Sequence, residues 1–213
     1  ADFAWMYLIP GLAMWMWDHC LRFTDSVRNY EMTGLTVCGD AVVELCIGLK
    51  SKTSSPPDPL IFESGQYLFV NIPDLSPLQS HPFNVSGSMY DGSTVLHIKS
   101  CGAGTWTGNL LEMARSVAKV NDKGSNNPKP FPLNRLGVTV DGPYGLPIPY
   151  TQCHSILLVG GGIGVTPLHS IFRSLLHLSK SKNGFPASSK LRKIKLLWSF
   201  RNEELITHNH TFC

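Results

Sequence analysis

The chain opens on an apolar run. Phe3 to Trp17 (FAWMYLIPGLAMWMW) carries no charged residue, and Asp18, His19 and Arg22 follow. Its aromatics Trp5, Tyr7, Trp15 and Trp17 suit a membrane–water interface. A full span takes about 20 apolar residues. The pattern therefore predicts, over residues 1–22, the end of a last transmembrane helix leading into a water-exposed domain. No basic stretch precedes the run and no small-residue cleavage pattern ends it, which excludes a signal peptide.

From residue 36 to 146 the pattern changes to short runs divided by Gly and Pro turns. Strands are predicted over 41–49, 67–72, 94–100 and 137–140, an arrangement typical of an antiparallel barrel or sandwich. A helix is predicted over 109–120, with Asn109 and Glu112 spaced as a capping box. The polar, Pro-rich stretch 121–134 reads as a loop without periodicity.

After Pro149 a third pattern begins. Residues 155–159 (SILLV) form a continuous apolar run, as expected of a strand covered on both faces. The loop GGGIGVTP follows, then a helix over 167–178 with the stripe Leu168, Ile171, Phe172, Leu175 and Leu176. A second apolar strand is predicted over 194–200. That is one βαβ unit, a core too small for a whole nucleotide-binding domain. Three segments result: a membrane-helix end (1–22), a barrel or sandwich (23–149), and the first part of an α/β domain (150–213).

Composition sharpens this picture. Charged residues are 15% of the 213-residue chain and apolar residues 43%, against about 25% charged in a typical soluble domain. The deficit owes much to the opening run. A net charge of +3 without a Lys/Arg cluster gives no support for nucleic acid as a partner. Six widely spaced cysteines form no CxxC pair, so zinc spacing and a disulfide framework are both missing. They read as free thiols, and no metal site is expected, His208 and His210 included.

Candidate chemistry sits in three places. Gly160, Gly161, Gly162, Gly164 and Thr166 lie between a strand and a helix, where backbone N–H groups and the helix dipole attract phosphate. Pro167 suits the first helical turn. His97 and Lys99 share one face of their strand, a cationic pair able to hold a pyrophosphate. Just downstream, Gly102, Gly104, Thr105, Trp106 and Thr107 lead into the helix predicted at Asn109, a second anion site. His81-Pro82-Phe83-Asn84 joins an aromatic to small polar groups, a set able to press on a flat ring and bond its edge.

Gly65-Gln66-Tyr67, HPFNVS (81–86), HIK with TWT (97–99, 105–107), GPYG (142–145) and GGGIGVTP occur in that order. Together with the apolar lead-in, they resemble the dehydrogenase region of the ferric reductase / NADPH oxidase membrane flavocytochromes. The resemblance implies a ferredoxin-reductase-type antiparallel FAD barrel followed by an NADPH-binding α/β domain, cut at both ends. It places His81, Pro82, Phe83 and Asn84 along the isoalloxazine. It places His97 and Lys99, with Trp106 and Thr107, at the FAD pyrophosphate, and Gly160 to Pro167 at NADPH phosphate. Arg201 takes the NADPH 2′-phosphate, which suits a guanidinium fork. Asn84 stands where the family has Thr or Ser, and Lys99 where Arg is commoner.

The implied function is NADPH-dependent electron transfer through FAD, and through haem in upstream helices, to ferric iron. The protein is then integral to a membrane, with this region on the cytoplasmic side. Dioxygen as acceptor (a superoxide-forming oxidase) is the alternative. A soluble ferredoxin-reductase-type flavoprotein and a non-catalytic FAD-binding fragment are the rivals. The cofactors do the chemistry, so no residue is assigned as catalytic.

Overall fold

Val43, Leu45 and Ile47 alternate along one strand, and Leu96 and Ile98 along its neighbour; all five are buried. This period of two sets the inner face of an antiparallel sheet. In the computed structural model, residues 4–25, 29–49, 60–122, 133, 136–146, 148–180 and 189–200 are described. The elements run α1 (Ala4–Asp25), β1 (Asn29–Cys38), β2 (Val42–Leu49), β3 (Tyr67–Asn71), β4 (His81–Asn84), β5 (Thr94–Lys99), α2 (Trp106–Asp122), β6 (Gly137–Tyr144), β7 (Ser155–Gly161), α3 (Thr166–Lys180) and β8 (Lys193–Ser199).

Strands β1 to β6 form a six-stranded antiparallel sheet in the order β4-β3-β6-β1-β2-β5. A bridge between Val85 and Leu96 brings the two outer strands together. Leu110, Leu111, Ala114 and Val117 of α2 enter the same core, along with Tyr30, Met32, Phe62 and Leu68. β1 and β4 were not among the predicted strands. The four residues of β4 hold a proline and alternate half-buried with exposed, too short a run to show a period.

The second unit is the expected βαβ. β7 and β8 pair in parallel, and α3 packs Ile171 and Leu175 on Leu158 and Leu191. Among the described residues, one face of β7 is covered, by α3. Leu157 and Val159 are 58% and 65% exposed, because period two sends them away from α3.

The predicted membrane-helix end does form a helix, reaching Asp25. Its described side chains from Met6 to Asp18 are exposed, with no apolar face tucked into either core. Pro10 lies within its apolar run, and Asp18, Arg22 and Asp25 follow that run in its last turns. Among the described residues, no helix is long and apolar enough to cross a membrane.

Polar contacts join the two units. His169 Nδ1–H donates to the Ser86 carbonyl at 2.9 Å, Ser170 Oγ to the Gly87 carbonyl at 2.7 Å, and Tyr150 OH to the Ser64 carbonyl at 2.9 Å. Ser174 Oγ meets both Ser88 Oγ, at 2.8 Å, and Ser64 Oγ. Burial drives the Tyr150 hydroxyl up to about 12, with Glu63 adding to the shift, so it stays a proton donor.

Candidate cofactor-binding site

β4 divides the His-Pro-Phe-Asn segment between two faces. His81 and Phe83 turn toward Trp106, with ring centroids 4.9 and 5.7 Å from the indole. Pro82 and Asn84 are exposed on the opposite face. Register sets Pro82 opposite Phe69 and Asn84 opposite Tyr67, and Tyr67 also faces Tyr144 of β6. Phe69, Tyr67 and Tyr144 pack with centroids 5.7 to 5.9 Å apart. The result is an aromatic platform beside an exposed carboxamide. Of the four residues expected along one ring, alternation leaves Pro82 and Asn84 on the platform side and His81 and Phe83 toward Trp106. Tyr67 and Tyr144 stood in the quoted motifs, but nothing local showed that they meet.

A candidate anion site centres on the start of α2. The helix starts at Trp106, not Asn109. Thr105 Oγ1 accepts from Gly108 N at 3.0 Å, and the Thr105 carbonyl accepts from Asn109 N at 2.9 Å. Thr105 is thus the capping residue. Thr107 Oγ1 accepts from Cys101 N at 3.0 Å and folds the loop over the helix end. Gly108 permits the fold, since a Cβ there would lie 2.1 Å from the Gly102 carbonyl oxygen. The N–H groups of Trp106 and Thr107 belong to the first turn, which has no intrahelical acceptor for them.

Lys99 is exposed at the end of β5. His97 is not its outward partner. Its side chain is 1% exposed, with Nε2 3.2 Å from Glu44 Oε2. The two do share a face, but that face is buried at 97 and open at 99.

Two polar ring atoms near the helix start, His81 Nε2 and Trp106 Nε1, are buried with no hydrogen-bond partner in the structure. A ligand acceptor reaching this spot would satisfy them. The helix start and these two atoms offer hydrogen-bond donors to a diphosphate, and the platform on the other face of β4 offers a flat surface to a ring.

The glycine loop also divides. A Cβ on Gly160 would lie 2.9 Å from Leu168 Cδ1 and 3.2 Å from Val165 Cα, so Gly160 serves strand–helix packing. Gly161 and Gly164 are exposed, and a Cβ on either meets nothing within 4 Å. Gly162 takes φ +51 and its carbonyl accepts from Trp198 Nε1 at 2.9 Å. Thr166 is buried, 5% exposed. Pro167 lies in the first turn of α3, as expected. Arg201, His208, His210 and most of 121–134 lie outside the described residues.

The architecture is a ferredoxin-reductase-like FAD/NAD-binding fold. The reductase of phthalate dioxygenase superposes on it with TM-score 0.55 over 83% of this chain and 44% of that one, at 18% identity. Residues 27–148 match a family model described as an FAD-binding domain, and residues 153–210 one described as a ferric reductase NAD binding domain. The chain belongs to the ferric reductase / NADPH oxidase family of FAD- and NAD(P)-dependent oxidoreductases. Ferric reduction oxidase 3, mitochondrial, of Arabidopsis thaliana is 34% identical over 91% of this chain and 24% of its own length. Putative respiratory burst oxidase homolog protein G of Arabidopsis thaliana is 32% identical over 84% of this chain and 20% of its own. The chain thus spans about a fifth to a quarter of these relatives.

Proposed function

We propose that this chain is the flavin and nucleotide half of a membrane metalloreductase that moves electrons from NADPH through FAD and haem to ferric iron. FAD when bound supplies the step from hydride to single electrons. The protein's part is to hold and orient. Tyr67, Tyr144, Pro82 and Asn84 support the flat ring, and the Asn84 amide bonds its edge. Lys99 and the first turn of α2 hold the diphosphate; a lysine does so as a point charge. Gly161, Gly162 and Gly164 receive NADPH phosphate, and Arg201 its 2′-phosphate. His97 is left out of the flavin site because its ring faces Glu44. We place α1 at the membrane, where its exposed Tyr7, Leu8, Met14 and Trp17 meet lipid rather than water, and the two nucleotide-binding units on the cytoplasmic side. The closed FAD barrel is the matching reading of the six-stranded sheet.

The carrying observation is the meeting at Trp106 of a helix start and two partnerless buried ring atoms. Ferric iron is preferred because residues 153–210 match a family model described as a ferric reductase NAD binding domain. The test is made on the full-length protein in membranes supplied with NADPH. Reduction of a ferric chelate that superoxide dismutase does not inhibit is expected. Superoxide formation without iron reduction would replace the acceptor. A protein that binds no FAD would overturn the reading altogether.

A further inference from the structure

Glu44 on β2 and His97 on β5 are direct cross-strand partners. Cys38 ends β1 on the same face, two residues beyond Thr36, which pairs with Glu44. One donor atom from each of the three lies within 4.8 Å of the others. Glu44 Oε2 and His97 Nε2 are 3.2 Å apart. A tetrahedral ion with bonds of about 2.0–2.1 Å spaces its nitrogen and oxygen ligands by about 3.3 Å.

We propose that Cys38 Sγ, the Glu44 carboxylate and the His97 imidazole form a binding site for a divalent cation of the zinc class, with a fourth position open. The donor set decides the class: sulfur and imidazole nitrogen select zinc-like ions over magnesium or calcium, which want oxygen. Charge decides the stoichiometry. A thiolate and a carboxylate together neutralise one divalent ion, so the near-buried site takes it without leaving net charge in a poor solvent. Cys38 and His97 are 3% and 4% exposed, while the Glu44 side chain is 19% exposed and gives the ion its approach. Uptake forms a sulfur–metal bond and releases the Cys38 thiol proton. The bound ion ties β1, β2 and β5 together, apart from the flavin platform on β3, β4 and β6. The site also joins residues that no spacing rule links: one ligand from each of three strands.

Metal-free full chain is titrated with cobalt(II), followed by zinc(II). The expected result is one cobalt per chain, a thiolate-to-cobalt charge-transfer band with the visible bands of a four-coordinate ion, about one proton released, and loss of the bands on adding zinc. C38S removes the charge-transfer band. E44Q keeps the band but weakens affinity at least about tenfold. C20S and C101S, at exposed cysteines, change neither. No charge-transfer band at saturating cobalt would overturn the proposal, as would a band that survives C38S. Should C38S not fold, X-ray absorption on the zinc-loaded wild type decides: one sulfur with nitrogen and oxygen neighbours is expected, and a shell without sulfur overturns the site.

Discussion

Arg173 on α3 donates to Asp91 Oδ1 at 2.9 Å, and so fastens the nucleotide unit to the short turn before β5. His177, one helical turn on, reaches the same oxygen at 3.1 Å. Asp91 Oδ2 also accepts from Ser88 N at 2.7 Å, completing a capping box with the Ser88 side chain. A single carboxylate thus shapes one unit and grips the other.

Asp91→Asn should therefore loosen the join between the units. Hydrogen bonds to a charged group contribute about 1.5–3 kcal/mol, and Arg173 is partly exposed, so a loss of about 2 kcal/mol is expected. In a chain of this size that lowers Tm by roughly 4–8 °C. Arg173→Lys should recover less than half of the join, having lost the planar fork. Calorimetry on each variant checks both.

Acid should open the same seam. Burial holds the His169 imidazole below its ordinary value of 6.5, with Arg173 and His97 adding to the lowering and the Ser86 carbonyl and Asp91 opposing it. The folded state therefore resists a proton that the unfolded chain accepts. Stability is level above about pH 6.5 and falls below it. His169→Gln, which keeps a side-chain donor but does not titrate, should flatten that fall. Urea midpoints between pH 5 and 8 measure the slope, and an unchanged slope would remove His169 from the acid response.

Glycines should separate by role. Gly108→Ala drives a methyl against the Gly102 carbonyl, so a loss above about 2 kcal/mol is expected along with weak FAD binding. Gly164→Ala meets no atom within 4 Å. Its stability should stay within about 0.5 kcal/mol of the parent, while NADPH affinity drops at least about tenfold if the open side of the loop holds phosphate. Denaturation and NADPH titration of the two variants give the comparison.

Trp106→Phe keeps the ring that packs on Phe83 and deletes the buried N–H. FAD should bind about tenfold more weakly, the value of one hydrogen bond to a charged acceptor, with the fold intact. An unchanged FAD affinity, read by flavin fluorescence, would take the indole nitrogen out of the cofactor site.

Thiols should react in two groups. Cys20, Cys101 and Cys153 are exposed and should label with maleimide at neutral pH. Cys38 is buried. Burial, with Glu44 and Cys38 nearby, pushes the Cys46 thiol up to about 11, so little reactive thiolate is present. Mass spectrometry after timed labelling should find both unmodified until the chain unfolds.

The start of α2 shows how local signals misplace a boundary. Asn109 and Glu112 have capping-box spacing, and so the helix reads from Asn109. Thr105 caps it instead, because Gly108 lets the Gly102 carbonyl come close and the loop closes one turn earlier. That closure depends on a backbone approach no residue pattern records. At β5 the alternation rightly puts His97 and Lys99 on one face, yet says nothing of what covers that face. That face is buried at 97 and open at 99.

Order along the chain dictated the general plan: an apolar helix, an antiparallel sheet, then a strand, glycine loop and helix. Each follows from a repeat or a turn chemistry carried within a few residues. Strand pairing decided what those elements hold. The register of β3 with β4 and β6 turned scattered Tyr67, Asn84 and Tyr144 into one platform. The register of β2 with β1 and β5 gathered Cys38, Glu44 and His97, three residues read singly as a free thiol, an unassigned acid and a phosphate ligand. Side-chain chemistry is local, but which groups share a few ångströms depends on pairing between distant segments.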